Sequence, residues 1–148
     1  MASLAVIVLL FIRTDCPIAN RYAPELERLH ALYAPKGIEF RLIYVEPNLT
    51  PTQIEAHRQE YGYIIPAFPD PGRRQQRQAH IRVTPEAAVF AQGQLVYHGR
   101  IDDRYLDFGK TRPQPLHRDL ADTLAALAAG KTVKPHETKA FGCAVQDL

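Results

Sequence analysis

The stretch that decides the fold is Leu4-Ala-Val-Ile-Val-Leu-Leu-Phe-Ile-Arg-Thr-Asp-Cys-Pro17. From Leu4 to Ile12 it is apolar without a break and rich in β-branched side chains. A strand with one covered face alternates; a strand buried on both faces reads as a continuous run, as in a mostly parallel sheet. The run is too short to cross a bilayer, which takes about 20 apolar residues. It lacks the charged leader and small-residue cleavage site of a secretory signal, so a cytoplasmic location is the default expectation, or an exported one if these residues are cut from a longer precursor. After Ile12 the character changes to Arg13-Thr14-Asp15-Cys16-Pro17. Thr14 or Asp15 suits a helix cap, and Pro17 suits a first helical turn, where a missing N–H costs nothing. The stretch is therefore a buried strand that turns into a helix with a cysteine at the junction.

Reading outward, the helix continues to about Tyr33. Tyr22, Leu26, Leu29 and Tyr33 share one face, Pro24 imposes a kink, and Pro35-Lys36-Gly37 ends the segment. Ile38 to Glu46 alternates as a second strand, and Thr50-Pro51 opens a short helix that Gly62 closes. Residues 63–72 hold Pro66, Pro69 and Pro71 and are expected to be extended and loop-like; Arg73 to Ala79 is a short polar helix. Glu86 to Phe90 and Gln94 to Asp102 flank Gln92-Gly93 as a hairpin. Residues 103–115 read as irregular. Leu116 to Ala129 is the last helix, with Leu116, Leu120, Leu124 and Leu127 as its buried stripe and Gly130 as its stop. This order predicts an α/β fold: a right-handed parallel crossover followed by a hairpin, in a mixed sheet of at least four strands with helices on both faces. Residues 1–130 form one domain, and 131–148 a tail carrying Cys143.

The chain has 148 residues, 46% of them hydrophobic and 23% charged, which suits a globular domain with a real core. A net charge of +2 without a basic run gives no reason to expect nucleic acid. The only cysteines, Cys16 and Cys143, rule out a disulfide scaffold and a Cys-rich zinc site. The six histidines show no paired ligand spacing, and no metal or cofactor is expected.

Cys16 carries the chemistry. Sites form beyond the carboxyl ends of strands in open α/β sheets, and the start of a helix stabilises an anion by roughly 0.3–2 kcal/mol. That placement favours the thiolate, which is the nucleophile. The polar residues before it and Pro17 after it argue against a plain core cysteine. Cys143 sits among Phe141, Ala144 and Val145, apolar neighbours that a free tail would not need, so the tail is expected to dock and to bring Cys143 near Cys16. Arg104 and Asp102, at the end of the hairpin, are candidates to stabilise the thiolate and to move a proton, with Arg100 and Asp103 as alternatives.

Phe11-Ile-Arg-Thr-Asp-Cys16-Pro-Ile-Ala-Asn20, Pro24 in the following helix and Val83-Thr84-Pro85 before a strand resemble the thioredoxin superfamily, closest to its redoxin branch of TlpA/ResA-like reductases and peroxiredoxin relatives. The resemblance covers about Leu4 to Ala129. It implies a nucleophilic Cys16 opposite a cis-proline loop at Pro85, with Thr14, Pro17, Thr84 and Pro85 lining the substrate side and a thiol or disulfide, protein or small molecule, as partner. It also exposes a departure: Ala19 stands where the second cysteine of C-x-x-C belongs. Resolution by an outside thiol, resolution by Cys143 and loss of redox function all remain open at this point. A thiol peroxidase, with Thr14 near a bound peroxide, is an alternative, although the peroxiredoxin pattern sets its Thr one residue earlier. A copper site from both cysteines and His80 or His136, or a protein-binding module on the same fold, is another.

Overall fold

The structure, a computed structural model, describes residues 5–107 and 109–145; Leu4, where the first strand was expected to begin, lies outside them. Strand β1 (Val6–Ile12) sits mid-sheet, parallel to β2 (Ile38–Tyr44) and antiparallel to β5 (Glu86–Ala91). Val6, Val8, Leu10 and Ile12 face the larger core, and Leu9 and Phe11 face a second cluster with Ile43, Val45 and Ala88. Burial on both faces explains the unbroken apolar run. The larger face is packed by Leu26 and Leu29 of α2 (Ala23–Tyr33) and, from the last helix, by Leu120, Leu124 and Leu127. The other face receives Ala79, which follows the short helix over Arg74–Gln78, and Val145 of the tail.

The mixed sheet has six strands in the order β3-β2-β1-β5-β6-β9. Two of these were not foreseen. β3 (Ala67–Pro69) lies in the proline-rich stretch expected to be a loop and pairs parallel with β2. A proline is tolerated there because the strand is at an edge, where one side of the backbone needs no partner. Beyond β3 the chain forms α4 (Arg74–Gln78), the two-residue β4 (Val83–Thr84), β5, and β6 (Gln94–Gly99). The stretch 103–115 holds a small hairpin, β7 (Tyr105–Asp107) and β8 (Lys110–Thr111), rather than being wholly irregular.

The last helix, α5, spans Asp119–Ala128 and not Leu116 onward. The Asp103 carboxylate accepts the Leu116 and His117 N–H groups and turns the chain before the helix starts, which leaves Leu116 69% exposed and outside the stripe. The first helix is divided: α1 (Pro17–Arg21) stops at Tyr22, and α2 follows with Pro24 in its first turn. Pro24 has no N–H and its ring displaces the preceding turn. The tail then returns to the sheet. β9 (His136–Glu137) pairs parallel with β6, the second unforeseen strand, and β10 (Cys143–Ala144) pairs antiparallel with β4. Gly99 lets the tail cross, since a Cβ there would meet the Thr138 backbone nitrogen at 2.8 Å.

Candidate active site

β1 delivers the chain to the sheet's carboxyl end, and Cys16 itself is the N-cap of α1. Its sulfur receives the Ala19 N–H at 3.4 Å. Neither Thr14 nor Asp15, the expected caps, takes that place. Asp15 is drawn outward by Arg13, at 3.0 Å, which keeps its charge from the sulfur. Thr14 is held at three atoms: its N–H and Oγ1 donate to Glu46 at 2.5 and 2.6 Å, and its carbonyl accepts Asn20 Nδ2 at 3.0 Å. Its hydroxyl proton is therefore engaged with Glu46 rather than offered to a sulfur or a peroxide.

Glu46 is reached by register. Ile12 pairs with Tyr44 in the parallel β1–β2 ladder, so Thr14 and Glu46, each two residues further on, emerge side by side. Behind them lies a buried chain of hydrogen bonds. Asn20 gives its Nδ2 to Thr14, so its Oδ1 faces His57 Nε2 at 2.8 Å and must accept. His57 therefore carries its proton on Nε2, and its Nδ1 accepts the Tyr44 hydroxyl at 2.7 Å. Burial pushes the His57 pKa below its ordinary value and the Tyr44 pKa above its own, which keeps both neutral. His57 lies on α3 (Pro51–Tyr61), whose start is fixed by a capping box between Thr50 and Gln53.

Facing Cys16 is the loop between β4 and β5, where the Thr84–Pro85 peptide bond is cis. The Thr84 carbonyl oxygen lies 3.4 Å from Cys16 Sγ, and both residues are fully buried. Glu86 braces this loop from below, accepting the Arg82 and Val83 N–H groups; burial raises its pKa. Cys143 arrives on β10 opposite Thr84 and is disulfide-bonded to Cys16, with Cα atoms 6.0 Å apart. Two more bonds seat the tail: Val145 N–H donates to the Arg82 carbonyl at 2.9 Å, and Arg13 donates to the Ala144 carbonyl at 3.2 Å. Gly142 is required, because a Cβ at that position would fall on the Thr84 carbonyl oxygen. With the tail in place Cys16 has no exposed surface.

The structure thus brings Cys16, Cys143, Thr84 and Pro85 together, with Thr14 held beside them and Pro17 exposed on the rim. Of the polar residues from the hairpin end, Asp102, Arg100 and Asp103 have side chains bonded elsewhere, and Arg104 contributes its backbone N–H. Asp102 accepts the Tyr22 hydroxyl at 2.5 Å and the Arg104 N–H at 2.9 Å, fastening the break between α1 and α2. Arg100 is paired with Asp119, and Asp103 with the turn before α5. His136 bonds the Lys134 carbonyl, and among the described residues no cluster of three or more His, Cys, Asp or Glu side chains could hold a metal. Glu46, Asn20, His57 and Glu86 went unnoticed in the sequence. The one available signal was the shared offset of Thr14 and Glu46 past their strands, which has meaning only once the register is known.

No protein-family model matches the chain, and no curated protein matches it. Solved structures do. A hypothetical protein from Sinorhizobium meliloti 1021 is 24% identical with a TM-score of 0.78, covering 97% of this chain and 80% of that one. An uncharacterized conserved protein from Geobacillus kaustophilus is 25% identical with a TM-score of 0.76, covering 99% and 79%. The thioredoxin domain of a thiol-disulfide oxidoreductase from Bacteroides vulgatus is 12% identical with a TM-score of 0.61, covering 84% and 79%. The fold is thioredoxin-like.

Proposed function

We propose that this thioredoxin-like chain is a thiol–disulfide oxidoreductase in which Cys16 is the nucleophile and Cys143, from the tail, the resolving thiol. The observation that carries the reading is the Cys16–Cys143 disulfide at the start of α1, opposite the Thr84–Pro85 loop. In the dithiol state the Ala19 N–H would stabilise a thiolate on Cys16, and the Thr84 carbonyl would accept a hydrogen bond from the protonated thiol, so either form has a partner.

In the forward direction the Cys16 thiolate attacks one sulfur of a disulfide R–S–S–R. That S–S bond breaks, one R–S⁻ leaves, and Cys16 is joined to the other R–S. The Cys143 thiolate then attacks Cys16 Sγ and expels the second R–S⁻. The two protons lost by the cysteines go to the two leaving thiolates, giving two R–SH and the protein disulfide. Two electrons pass from protein to substrate, and the reverse sequence oxidises a dithiol. Thr84 and Pro85 present backbone to the partner, and Pro17 flanks the approach. Asp102 acts through Tyr22 on the helix break rather than on the sulfur, and Arg104 supports Asp102 through its backbone N–H.

The test is single-turnover reduction of a disulfide by the reduced protein. Cys16→Ser should lower the rate by about 10³-fold or more, whereas Cys143→Ser should complete the first step and accumulate a mixed disulfide visible by mass. A Cys16→Ser variant that reduces disulfides at the wild-type rate would overturn the reading.

A further inference from the structure

A cavity of about 460 Å³ opens beyond the carboxyl ends of the parallel strands β2 and β3, between residues 45–49 and residues 69–73 with Arg77. It shares a wall with the Cys16 loop, because Glu46, which lines it, is the residue that grips Thr14 two positions before the cysteine. Crevices at this end of a parallel sheet are where α/β proteins bind ligands, and this volume lies in the range of small-molecule sites. Val45, Leu49 and Pro69 give it apolar walls.

Its charges are unequally engaged. Both carboxylates are occupied. Glu46 accepts from Thr14 N–H and Oγ1, and the two oxygens of Asp70 each accept one N–H, from Gln75 and Gln76, at 3.0 Å. The two cations, Arg73 and Arg77, have no side-chain acceptor among the described residues. The carboxylate oxygens are thus taken up by neutral donors of the protein, while the two guanidiniums have their donor forks open to a ligand, although the charges of the four side chains sum to zero. Guanidinium forks match carboxylates in a planar, bidentate way that an ammonium cannot.

We propose that this cavity is the binding site for a small disulfide or thiol substrate bearing carboxylates, with Arg73 and Arg77 holding the carboxylate end and the sulfur end directed toward the Cys16 loop. The inference rests on the redox reading for its chemistry, although the site can be tested apart from it. The volume suits a molecule of peptide size rather than a folded partner, and an ammonium on such a ligand could face Glu46 or Asp70 while its carboxylates face the arginines.

Two measurements test the proposal. S-methylglutathione cannot exchange, so its binding to the oxidised protein, followed by calorimetry, reads the site alone. Wild type should bind it, and Arg73→Gln/Arg77→Gln should weaken binding by about tenfold or more. The second is the rate at which the reduced protein forms its Cys16–Cys143 disulfide with glutathione disulfide, which is anionic, and with bis(2-hydroxyethyl) disulfide, which is neutral. The ratio of the two rates should fall about tenfold in the double variant, and in wild type it should fall with added salt. No binding by wild type, equal binding by the variant, or an unchanged rate ratio would overturn the site. If S-methylglutathione binds in an arginine-dependent way while neither disulfide reacts, the site stands and the redox reading fails.

Discussion

The two halves of the disulfide are held in very different ways. Cys16 is carried by a loop that Glu46 and Asn20 fix at three atoms of Thr14, with His57 and Tyr44 bonded in series behind. Cys143 is carried by a tail with two strands of two residues each, β9 on the edge of the main sheet and β10 paired with β4 apart from it. Thr138 Oγ1 accepts the Arg100 N–H, Val145 N–H donates to the Arg82 carbonyl, and Arg13 donates to the Ala144 carbonyl. Cys16 is thus fixed by side-chain bonds around its own loop, whereas Cys143 rides on a two-residue strand of the tail. The bridge ties the tail to the loop, and with it in place Cys16 has no exposed surface. Reduction is thus expected to change the tail far more than the loop, since strands of two residues supply little backbone pairing to hold it.

The largest effect should follow from breaking the bridge. It spans a sequence separation of 127 residues, for which the loop-entropy model gives about 4–5 kcal/mol. Denaturant unfolding of the reduced protein should show a loss approaching that size, and hydrogen exchange should show residues 136–145 losing protection while β1 and β2 keep theirs. Equal protection of the tail in both redox states would show that the tail is held without the bridge. Next is Glu46→Ala, which removes two charge-assisted bonds from a half-buried site and should cost about 2–3 kcal/mol. The loss should appear equally in the oxidised and reduced proteins; a loss confined to one would mean that the loop depends on the tail after all.

Smaller again is Gly142→Ala. The added methyl would displace β10 from the Thr84 carbonyl and shift the thiol–disulfide equilibrium about tenfold toward the dithiol, or roughly 30 mV. Redox titration would read that shift, and the stability of the reduced protein should not move. The smallest effect concerns pH. Burial lowers the His57 pKa, so the folded state binds fewer protons than the unfolded state just below the ordinary histidine range. Its contribution is present above that range and is lost as pH falls through it toward the folded value. Glu86, raised by burial, works in the opposite sense at lower pH, contributing below the ordinary carboxylate range and losing that contribution as pH rises. The readout is therefore the difference between wild type and His57→Gln between about pH 5 and 7. The wild type should be the more acid-sensitive, and identical slopes would show that His57 is not the buried neutral link in the chain behind Thr14.

The amino-acid pattern was enough to place the central strand, Cys16 at a strand-to-helix junction, the kink at Pro24 and the apolar setting of Cys143, whereas the Val83-Thr84-Pro85 loop was legible only through a family resemblance. The features placed by pattern are written in neighbouring residues: a run without polar interruption, a proline at a first turn, a cysteine among Phe141, Ala144 and Val145. Tertiary structure alone decided that Cys16 rather than Thr14 or Asp15 caps the helix, that Glu46 and His57 stand behind the loop, that Asp102 serves Tyr22, and that the edge strands β3 and β9 exist. For the bonds of Glu46, His57 and Asp102 the physical reason is the same. A hydrogen bond between residues 32, 37 or 80 positions apart leaves no local pattern, because only the register of packed strands and helices brings its donor to its acceptor.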